Sequence, residues 1–293
     1  MKLFFVFNPK AGQERIKSKL GDIIELFSVA GHTTTVRATT KRGDACEWVR
    51  DLEEGYDRVI CAGGDGTLDE VVEGMSQRKN KLPIGYIPAG STNDFAQSLG
   101  IPSRILEAAK VAIGDNLFKS DVGRYNGKSF VYVAAFGAFT EVSYATPQDL
   151  KNKFGHAAYI MEALKSVSEI RPYHMHVETE HLTIDDDFLL GMITNSASVG
   201  GIKRITGDNV DLSDGLFEVT LIRNPKLKIE LNGVAAALMN RDLTSKDLYV
   251  FKTDKIKVTC EEDVPWTLDG EFGGNDKCVE IVNIHEGLEI AVK

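Results

Sequence analysis

The chain has 293 residues, 43% of them hydrophobic and 26% charged, so it is long enough for two ordinary globular domains and shows no composition typical of disorder. Its formal net charge of -9 argues against a nucleic-acid partner, because phosphate-backbone binding relies on clustered Lys and Arg. The longest apolar run, residues 131–139, is too short to span a bilayer, and we expect no signal peptide. The four cysteines form no CxxC pair, which favours reduced thiols and a cytoplasmic protein.

Strands and helices alternate in the first part of the chain. Short apolar or β-branched runs predict strands, and helical spacing of apolar residues predicts the helices between them. The predicted strands cover residues 3–7, 33–38, 58–62 and 84–89, and the predicted helices cover 16–29, 44–52 and 68–75. This order predicts a mostly parallel sheet with helices on both faces, which binds ligands at the loops after its strands.

After about residue 116 the pattern changes to strands with few helices, as expected of an antiparallel β domain. Two helices interrupt it. Residues 154–167 have apolar positions at helical spacing, with Lys151, Lys153 and Lys165 on or near that helix, and a second helix is predicted over 227–238. The first of these helices is a candidate contact for acyl chains and anionic headgroups, or a simple packing element.

Four loops of the first part are suited to close backbone approach. They are "NPKAG" (8–12), "TTKRGDA" (39–45), "GGDGT" (63–67) and "PAGSTNDF" (88–95), each following a predicted strand. Glycine-rich turns that open a helix present backbone N–H groups and the positive end of the helix dipole. The loops therefore predict a phosphate-binding edge, although the chain has neither the GxxxxGK[ST] nor the GxGxxG pattern.

These motifs carry a resemblance. "NPKAG", "GGDGTLDEVVEGM" and "IPAGSTNDFA", with "KFGHAAYIMEALK", "TNSASVGG", "NVDLSDGLFEV" and "TLDGE", resemble the diacylglycerol kinase and sphingosine kinase superfamily, in particular its bacterial soluble lipid kinases. The resemblance implies an N-terminal, mostly parallel α/β nucleotide domain, a C-terminal antiparallel β-sandwich domain, and an active site in the cleft. We expect the first domain over residues 1–122 and 286–293 and the second over 123–285.

The resemblance also implies which residues contact ATP. They are Asn8, Pro9, Lys10, Ala11, Gly12, Thr39, Gly63, Gly64, Asp65, Gly66, Thr67, Ser91, Asn93 and Asp94. Thr67 is predicted to cap the following helix. Two positions depart from the family pattern, since Ala11 replaces a common hydroxyl residue and Asp69 stands where Asn is usual.

Acidic residues supply the predicted catalytic chemistry. Strand alternation would project Asp269 and Glu271 to the same side, where two neighbouring carboxylates raise one pKa and suit a general base. The resemblance makes Glu271 the proton acceptor, with Asp269, Asp65 and Asp121 forming an acidic cluster around Mg²⁺. It also places a second, remote magnesium site at Asp211, Asp214 and Leu216, for which an ordinary Asp-Gly turn is the alternative interpretation.

Together these features predict an ATP- and Mg²⁺-dependent kinase that phosphorylates a lipid hydroxyl at the membrane surface, with diacylglycerol as the preferred acceptor. Phosphatidylglycerol, an isoprenoid alcohol and a sphingoid base remain open. The alternatives are an NAD kinase-like enzyme, which would share "GGDGT", and a catalytically silent lipid- or nucleotide-binding regulator. Membrane contact is expected to be peripheral, and a homodimer is compatible with the resemblance.

Overall fold

The computed structural model describes residues 1–12, 15–137, 171–199, 202–203, 210–225 and 245–293. The helices predicted over 154–167 and 227–238, with Lys151, Lys153 and Lys165, lie outside the described residues. The chain divides into two compact units. The first comprises Met1–Val122, Lys128–Val131 and His285–Lys293, and the second comprises Gly123–Gly127 and Tyr132–Ile284.

The first unit is built on a parallel sheet. Its elements are β1 (Lys2–Phe7), α1 (Arg15–Val29), β2 (Thr33–Ala38), α2 (Asp44–Arg50), β3 (Arg58–Gly63), α3 (Asp65–Ser76), β4 (Ile84–Pro88), α4 (Asp94–Ser98), α5 (Ile105–Ala112) and β6 (Lys128–Phe130). Two further strands, β5 (Leu117–Tyr125) and β15 (Glu271–Ala291), contribute residues to both units. Strands β2, β1, β3 and β4 lie side by side, and the end of β15 pairs with β4 in parallel.

The helices of the first unit pack in two pairs, α2 with α3 and α1 with α5. Phe5 of β1 and Phe27 of α1 are fully buried and meet edge to face, with ring centroids 5.9 Å apart. Helices α4 and α5 were not predicted from the sequence. In α5 the buried residues Ala108, Ala109 and Ala112 keep helical spacing, so the signal was present but short.

The second unit is antiparallel. Its strands are β7 (Val133–Gly137), β8 (Tyr173–Glu178), β9 (Thr183–Thr194), β10 (Ser198–Val199), β11 (Ile202–Lys203), β12 (Phe217–Arg223), β13 (Leu248–Thr253) and β14 (Lys255–Leu268). Neighbouring strands run in the order β13, β12, β9, β7, β14, β15. The buried Trp266 lies in the core of this unit, with its ring 4.8 Å from that of Phe136 and 5.4 Å from that of Tyr125. The predicted α/β plus antiparallel β fold class is confirmed.

Candidate active site

Three glycine-rich loops of the first unit contact one another through their backbones. A Cβ atom built on Gly12 would stand 2.0 Å from the carbonyl oxygen of Ala89. One built on Gly90 would stand 2.6 Å from the Cα atom of Gly64. Only glycine fits such approaches. The structure therefore brings the three predicted loops together where the parallel strands end.

Asn8 shapes the first of these loops and links it to α3. Its Oδ1 accepts the N–H of Lys10 at 2.9 Å, and its carbonyl oxygen accepts the N–H of Ala11 at 3.1 Å, which closes a turn around Pro9. Its Nδ2 donates to Oγ1 of Thr67 at 3.4 Å. Asn8 therefore holds the loop by its side chain as well as by its backbone.

The second loop runs directly into α3. This helix begins at Asp65, with Gly64 as its N-cap residue and no hydrogen bond from a capping side chain. Thr67 and Gly66 therefore lie inside the first turn, and the prediction that Thr67 caps the helix is wrong. The hydroxyl of Thr67 is used in the contact to the first loop instead, and a Cβ on Gly63 would stand 2.5 Å from this side chain.

Asp65 connects the second loop to the third. Its Oδ2 accepts the hydroxyl of Thr92 at 3.3 Å and the N–H of Asp94 at 3.4 Å. Asn93, with φ of 52°, closes the third loop, since its Oδ1 accepts the N–H of Gly90 at 2.8 Å and its Nδ2 donates back to the same residue at 3.0 Å. The carboxylate at the start of α3 is thus fixed in place by the neighbouring loop.

The charges of Asp65 and Asp69 act on two buried side chains beneath the loops. Burial raises the pKa of Cys61, and the charge of Asp69 raises it further. Burial likewise raises the pKa of Tyr86, with Asp65 as the next contribution. Both groups therefore stay neutral, and the departure at Asp69 adds negative charge close to the predicted nucleotide loops.

The loop after β2 is held by a carboxylate. Thr39 continues the strand edge, because its N–H donates to the carbonyl of Phe7 at 2.9 Å. The Oδ2 of Asp44 accepts the N–H of Thr40 at 2.7 Å, its hydroxyl at 2.8 Å and the N–H of Lys41 at 3.0 Å. The hydrogen bond from the Thr40 backbone is the main cause that lowers the pKa of Asp44.

Glu70 is a residue that sequence analysis missed. Its Oε1 accepts the N–H of Gly43 at 2.8 Å, and its Oε2 accepts the N–H of Ala45 at 3.2 Å. A carboxylate of α3 therefore satisfies the backbone donors at the start of α2 and complements its dipole. The acidic residue in the first turn of the predicted helix was visible in the sequence, but its partners in the loop before α2 were not.

A cavity of about 850 Å³ opens in the first unit beside the third loop. Ser91 and Asn93 line it, together with the cationic side chains of Arg15, Lys19 and Arg104. Glu107 lines the cavity as well and lies 3.0 Å from Arg104, and Lys19 lies 2.9 Å from Asp22. The side chains around the cavity therefore carry both charges, with cations in excess. The cavity volume falls in the usual range for sites that bind small molecules.

Asp121 is fully buried in β5. Its Oδ1 accepts the N–H of Glu286 at 2.8 Å and lies 3.1 Å from Nδ1 of His285, and both partners belong to the end of β15 in the same unit. Lys119 lies 2.8 Å from the carboxylate of Glu286 and lowers its pKa. Through these contacts Asp121 joins β5 to β15. Its catalytic role stays a prediction.

The predicted proton acceptor follows a tight hairpin turn in the second unit. Asp269 and Gly270 form the two-residue turn between β14 and β15, with φ of 51° and 84°, and Leu268 pairs with Glu271 across it. Positive φ at both positions marks a type I′ turn. Asp269 is therefore a turn residue, and the prediction that strand alternation projects it together with Glu271 is wrong.

The side chain of Asp269 holds this turn to β7 and the residue before it. Its Oδ1 accepts the N–H groups of Tyr132 at 2.9 Å and Val133 at 2.8 Å, and the Tyr132 hydroxyl donates to the Asp269 carbonyl at 3.1 Å. Asp269 is 5% exposed, whereas Glu271 is exposed. The two carboxylates thus have different surroundings, and no sequence pattern indicated the contact with Tyr132.

The Asp-Gly segment of the second unit carries its own hydrogen bonds. Oδ1 of Asp211 accepts the N–H of Ser213 at 3.0 Å and its hydroxyl at 2.9 Å. Oδ1 of Asp214 accepts the N–H of Leu216 at 2.9 Å, and its Oδ2 lies 2.8 Å from Nζ of Lys252. Lys252, which is 38 residues from Asp214 along the chain, was not predicted as its partner.

Two family models match this chain. The diacylglycerol kinase catalytic domain matches residues 2–125, and the YegS C-terminal NAD kinase beta sandwich-like domain matches residues 133–282. A diacylglycerol kinase of Bacillus subtilis (strain 168) is 33% identical over 290 residues, which cover 98% of this chain and 95% of that protein. The chain belongs to the diacylglycerol kinase family. It is a lipid kinase, as the motifs of the first unit predict.

Further relatives agree with this assignment. A diacylglycerol kinase of Staphylococcus saprophyticus is 33% identical over 271 residues, covering 92% of this chain and 88% of that protein. A solved structure from Bacillus anthracis str. Sterne, described as a candidate diacylglycerol kinase, has a TM-score of 0.86 and 25% identity over 100% of this chain and 95% of that one. No helix in the described part of this chain is long and apolar enough to cross a membrane.

Proposed function

We propose that this family member transfers the γ-phosphoryl group of ATP to the free hydroxyl of diacylglycerol, giving phosphatidic acid, in a reaction that requires Mg²⁺. The observation that carries the ATP assignment is the close backbone contact of the three glycine loops, through Gly12, Gly64 and Gly90. The acceptor rests on the relatives, since proteins 33% identical over nearly all of this chain are diacylglycerol kinases.

The first unit supplies the nucleotide side of the proposal. Phosphoryl transfer depends mainly on positioning and on neutralising charge, and backbone donors at the start of α3 suit phosphate oxygens. The cavity next to Ser91 offers the guanidinium group of Arg15 and the ammonium group of Lys19 as short-range partners for a polyanion. Asn8 and Asn93 keep the loops in shape before the nucleotide arrives, which reduces the entropy lost on binding.

Asp65 fits a magnesium ion by its chemistry, because it is a hard oxygen donor held in position by Thr92 and Asp94 beside the loops. When bound, Mg²⁺ would neutralise charge on the β- and γ-phosphates. Asp121 and Asp269 are proposed to support this acidic set through the strands and the turn that they hold. The carboxylate inside "GGDGT" is thereby assigned to the cation rather than to the phosphate.

The second unit supplies the proton acceptor. Glu271 follows the turn fixed by Asp269 and is exposed to solvent, where a substrate can approach it. We assign it as the general base that removes the hydroxyl proton of the lipid as the oxygen attacks phosphorus. Asp269 acts in this scheme by fixing the backbone on which Glu271 is carried.

The test is transfer of label from γ-labelled ATP to diacylglycerol in vesicles. Glu271→Gln keeps the size of the side chain and removes the base, so activity should fall by about 100-fold or more. Glu261→Gln, at an exposed position of β14, is the matched control and should stay within about twofold of the unmodified chain. Full activity of Glu271→Gln would remove the residue from the mechanism.

Asp65→Asn tests the metal assignment separately. It keeps an oxygen that can accept from Thr92 and Asp94 but removes the charge, so fold and unfolding midpoint should be retained while Mg²⁺-dependent transfer is lost. Unchanged activity at every Mg²⁺ concentration would show that this carboxylate does not serve the cation.

The acceptor is identified by offering the same labelled ATP to vesicles that contain diacylglycerol, phosphatidylglycerol, an isoprenoid alcohol or a sphingoid base, and to NAD. We expect label in phosphatidic acid. A labelled NAD product would instead support the NAD kinase-like alternative, and no product with any acceptor would support a silent regulator. Peripheral membrane contact is proposed with this function, since the acceptor is a membrane lipid. A cytoplasmic location is proposed from the cysteine content, and a homodimer from the family resemblance.

A further inference from the structure

The turn over residues 211–216 in the second unit is held by an internal cation. Lys252 lies on β13 directly opposite Glu218 on β12 in the antiparallel register. Its Nζ is 2.8 Å from Oδ2 of Asp214 and 3.0 Å from Oε1 of Glu218. The Glu218 side chain is only 5% exposed, so the ammonium group supplies the charge that this buried carboxylate needs.

This arrangement does not fit the second magnesium ion that the family resemblance implies. Mg²⁺ demands oxygen ligands at about 2.0–2.1 Å in near-octahedral geometry. The carboxylate of Asp214 already accepts the N–H of Leu216 on one oxygen and the Lys252 ammonium on the other. An ion bound to that second oxygen would lie within roughly 5 Å of the ammonium nitrogen and be repelled by it.

Asp211 carries the other carboxylate of the turn, and one of its oxygens is likewise used in hydrogen bonds. Oδ1 of Asp211 accepts both the N–H and the hydroxyl of Ser213, which shapes the turn locally. One lysine and the two carboxylates that it contacts thus join two strands and the turn.

We infer that in this chain the ammonium group of Lys252 replaces the divalent cation at the 211–216 turn, so that the turn is ordered independently of Mg²⁺. This concerns a structural cation and not the Mg²⁺ of the proposed phosphoryl transfer, and it holds whichever lipid is the acceptor. The divalent ion that the chain needs for catalysis would then be bound elsewhere.

The first experiment compares thermal unfolding of the unmodified chain and of Asp214→Asn, without nucleotide, in EDTA and across a Mg²⁺ titration. Any rise of Tm with Mg²⁺ should be the same in both proteins, because Asp214 does not hold the ion. A saturable rise in the unmodified chain that Asp214→Asn lacks would overturn the inference.

The second experiment removes the internal cation. In EDTA, Lys252→Met should lower Tm by roughly 5 °C or more, because the buried Glu218 loses its partner. Mg²⁺ or Ca²⁺ should then restore part of the loss in a saturable manner, since two carboxylates are released. Lys252→Arg keeps the charge and should remain insensitive to both ions. An unchanged Tm of Lys252→Met in EDTA, or no recovery with either ion, would overturn the inference; if this variant does not fold, the comparison with Asp214→Asn still decides.

Discussion

The glycine loops of the first unit and the 268–271 hairpin of the second unit both carry residues that the proposed function uses, but they are built in opposite ways. The loops come together because side chains are missing, so that Gly12 can touch Ala89 and Gly90 can touch Gly64. The hairpin is held because a side chain is present. Asp269 accepts the backbone N–H groups of Tyr132, just before β7, and of Val133, the first residue of β7.

The difference explains what each region can tolerate. A loop that depends on close backbone approach fails when any Cβ atom is added, whatever the charge of the side chain that carries it. A turn that depends on one carboxylate oxygen fails when that acceptor is removed, but it tolerates a neutral group that keeps the acceptor. In the hairpin, a substitution can therefore remove the charge and keep the acceptor oxygen. In the loops, no side chain can be added without disturbing the contact.

The largest effect is expected from Gly12→Ala. The new Cβ would stand 2.0 Å from a backbone carbonyl oxygen, at a residue whose φ of 55° already disfavours a side chain, so the two loops must separate. We expect a loss of about 4 kcal/mol in the free energy of unfolding and no measurable kinase activity. Urea unfolding and the labelled-ATP assay measure the two.

The matched control is Gly31→Ala, which also has positive φ, at 80°, but has nothing within 4 Å of the added Cβ. It should lose only about 1 kcal/mol and keep its activity, because backbone strain is its sole cost. Equal losses at the two glycines would show that the contact between loops contributes little.

The next effect is expected at Asp269. Asp269→Ala leaves the N–H groups of Tyr132 and Val133 without their acceptor and should lower the free energy of unfolding by about 3 kcal/mol. Asp269→Asn keeps an oxygen at the same place and tolerates the left-handed backbone, so it should unfold close to the unmodified chain. If both variants lose the same amount, the negative charge and not the acceptor holds the turn.

The two regions also differ in how far the sequence predicts them. The alternation of strands and helices in the first unit and the meeting of its glycine loops follow from local patterns, because parallel strands end at one edge and glycine marks close approach. The hairpin contact joins residues separated by 137 positions, and the Lys252 contact to Asp214 spans 38. No local pattern encodes such partners, which is why alternation gave Asp269 the wrong conformation and Lys252 was missed.

The smallest effect is expected at Asp44, which holds the loop after β2 in the first unit. It tests whether the stability of a turn held by a carboxylate depends on pH in a way that the stability of a glycine loop does not. Hydrogen bonds from Thr40 and Lys41 lower the pKa of Asp44 in the folded chain from its ordinary value of 3.8, so folding favours the ionised form. A depressed folded-state pKa gives stability that is fully present above 3.8 and is lost as the pH falls through the lower value.

The difference in Tm between the unmodified chain and Asp44→Ala should thus be constant from about pH 7 to about pH 4 and shrink below that, whereas the loss in Gly12→Ala should not change with the titration of this group. Thr40→Val, which removes the hydroxyl donor and keeps the backbone donor, should show a smaller effect of the same sign. A Tm difference for Asp44→Ala that persists unchanged in acid would mean that the shape of the side chain, and not its charge, holds this loop, and the contrast between the two kinds of turn would then disappear.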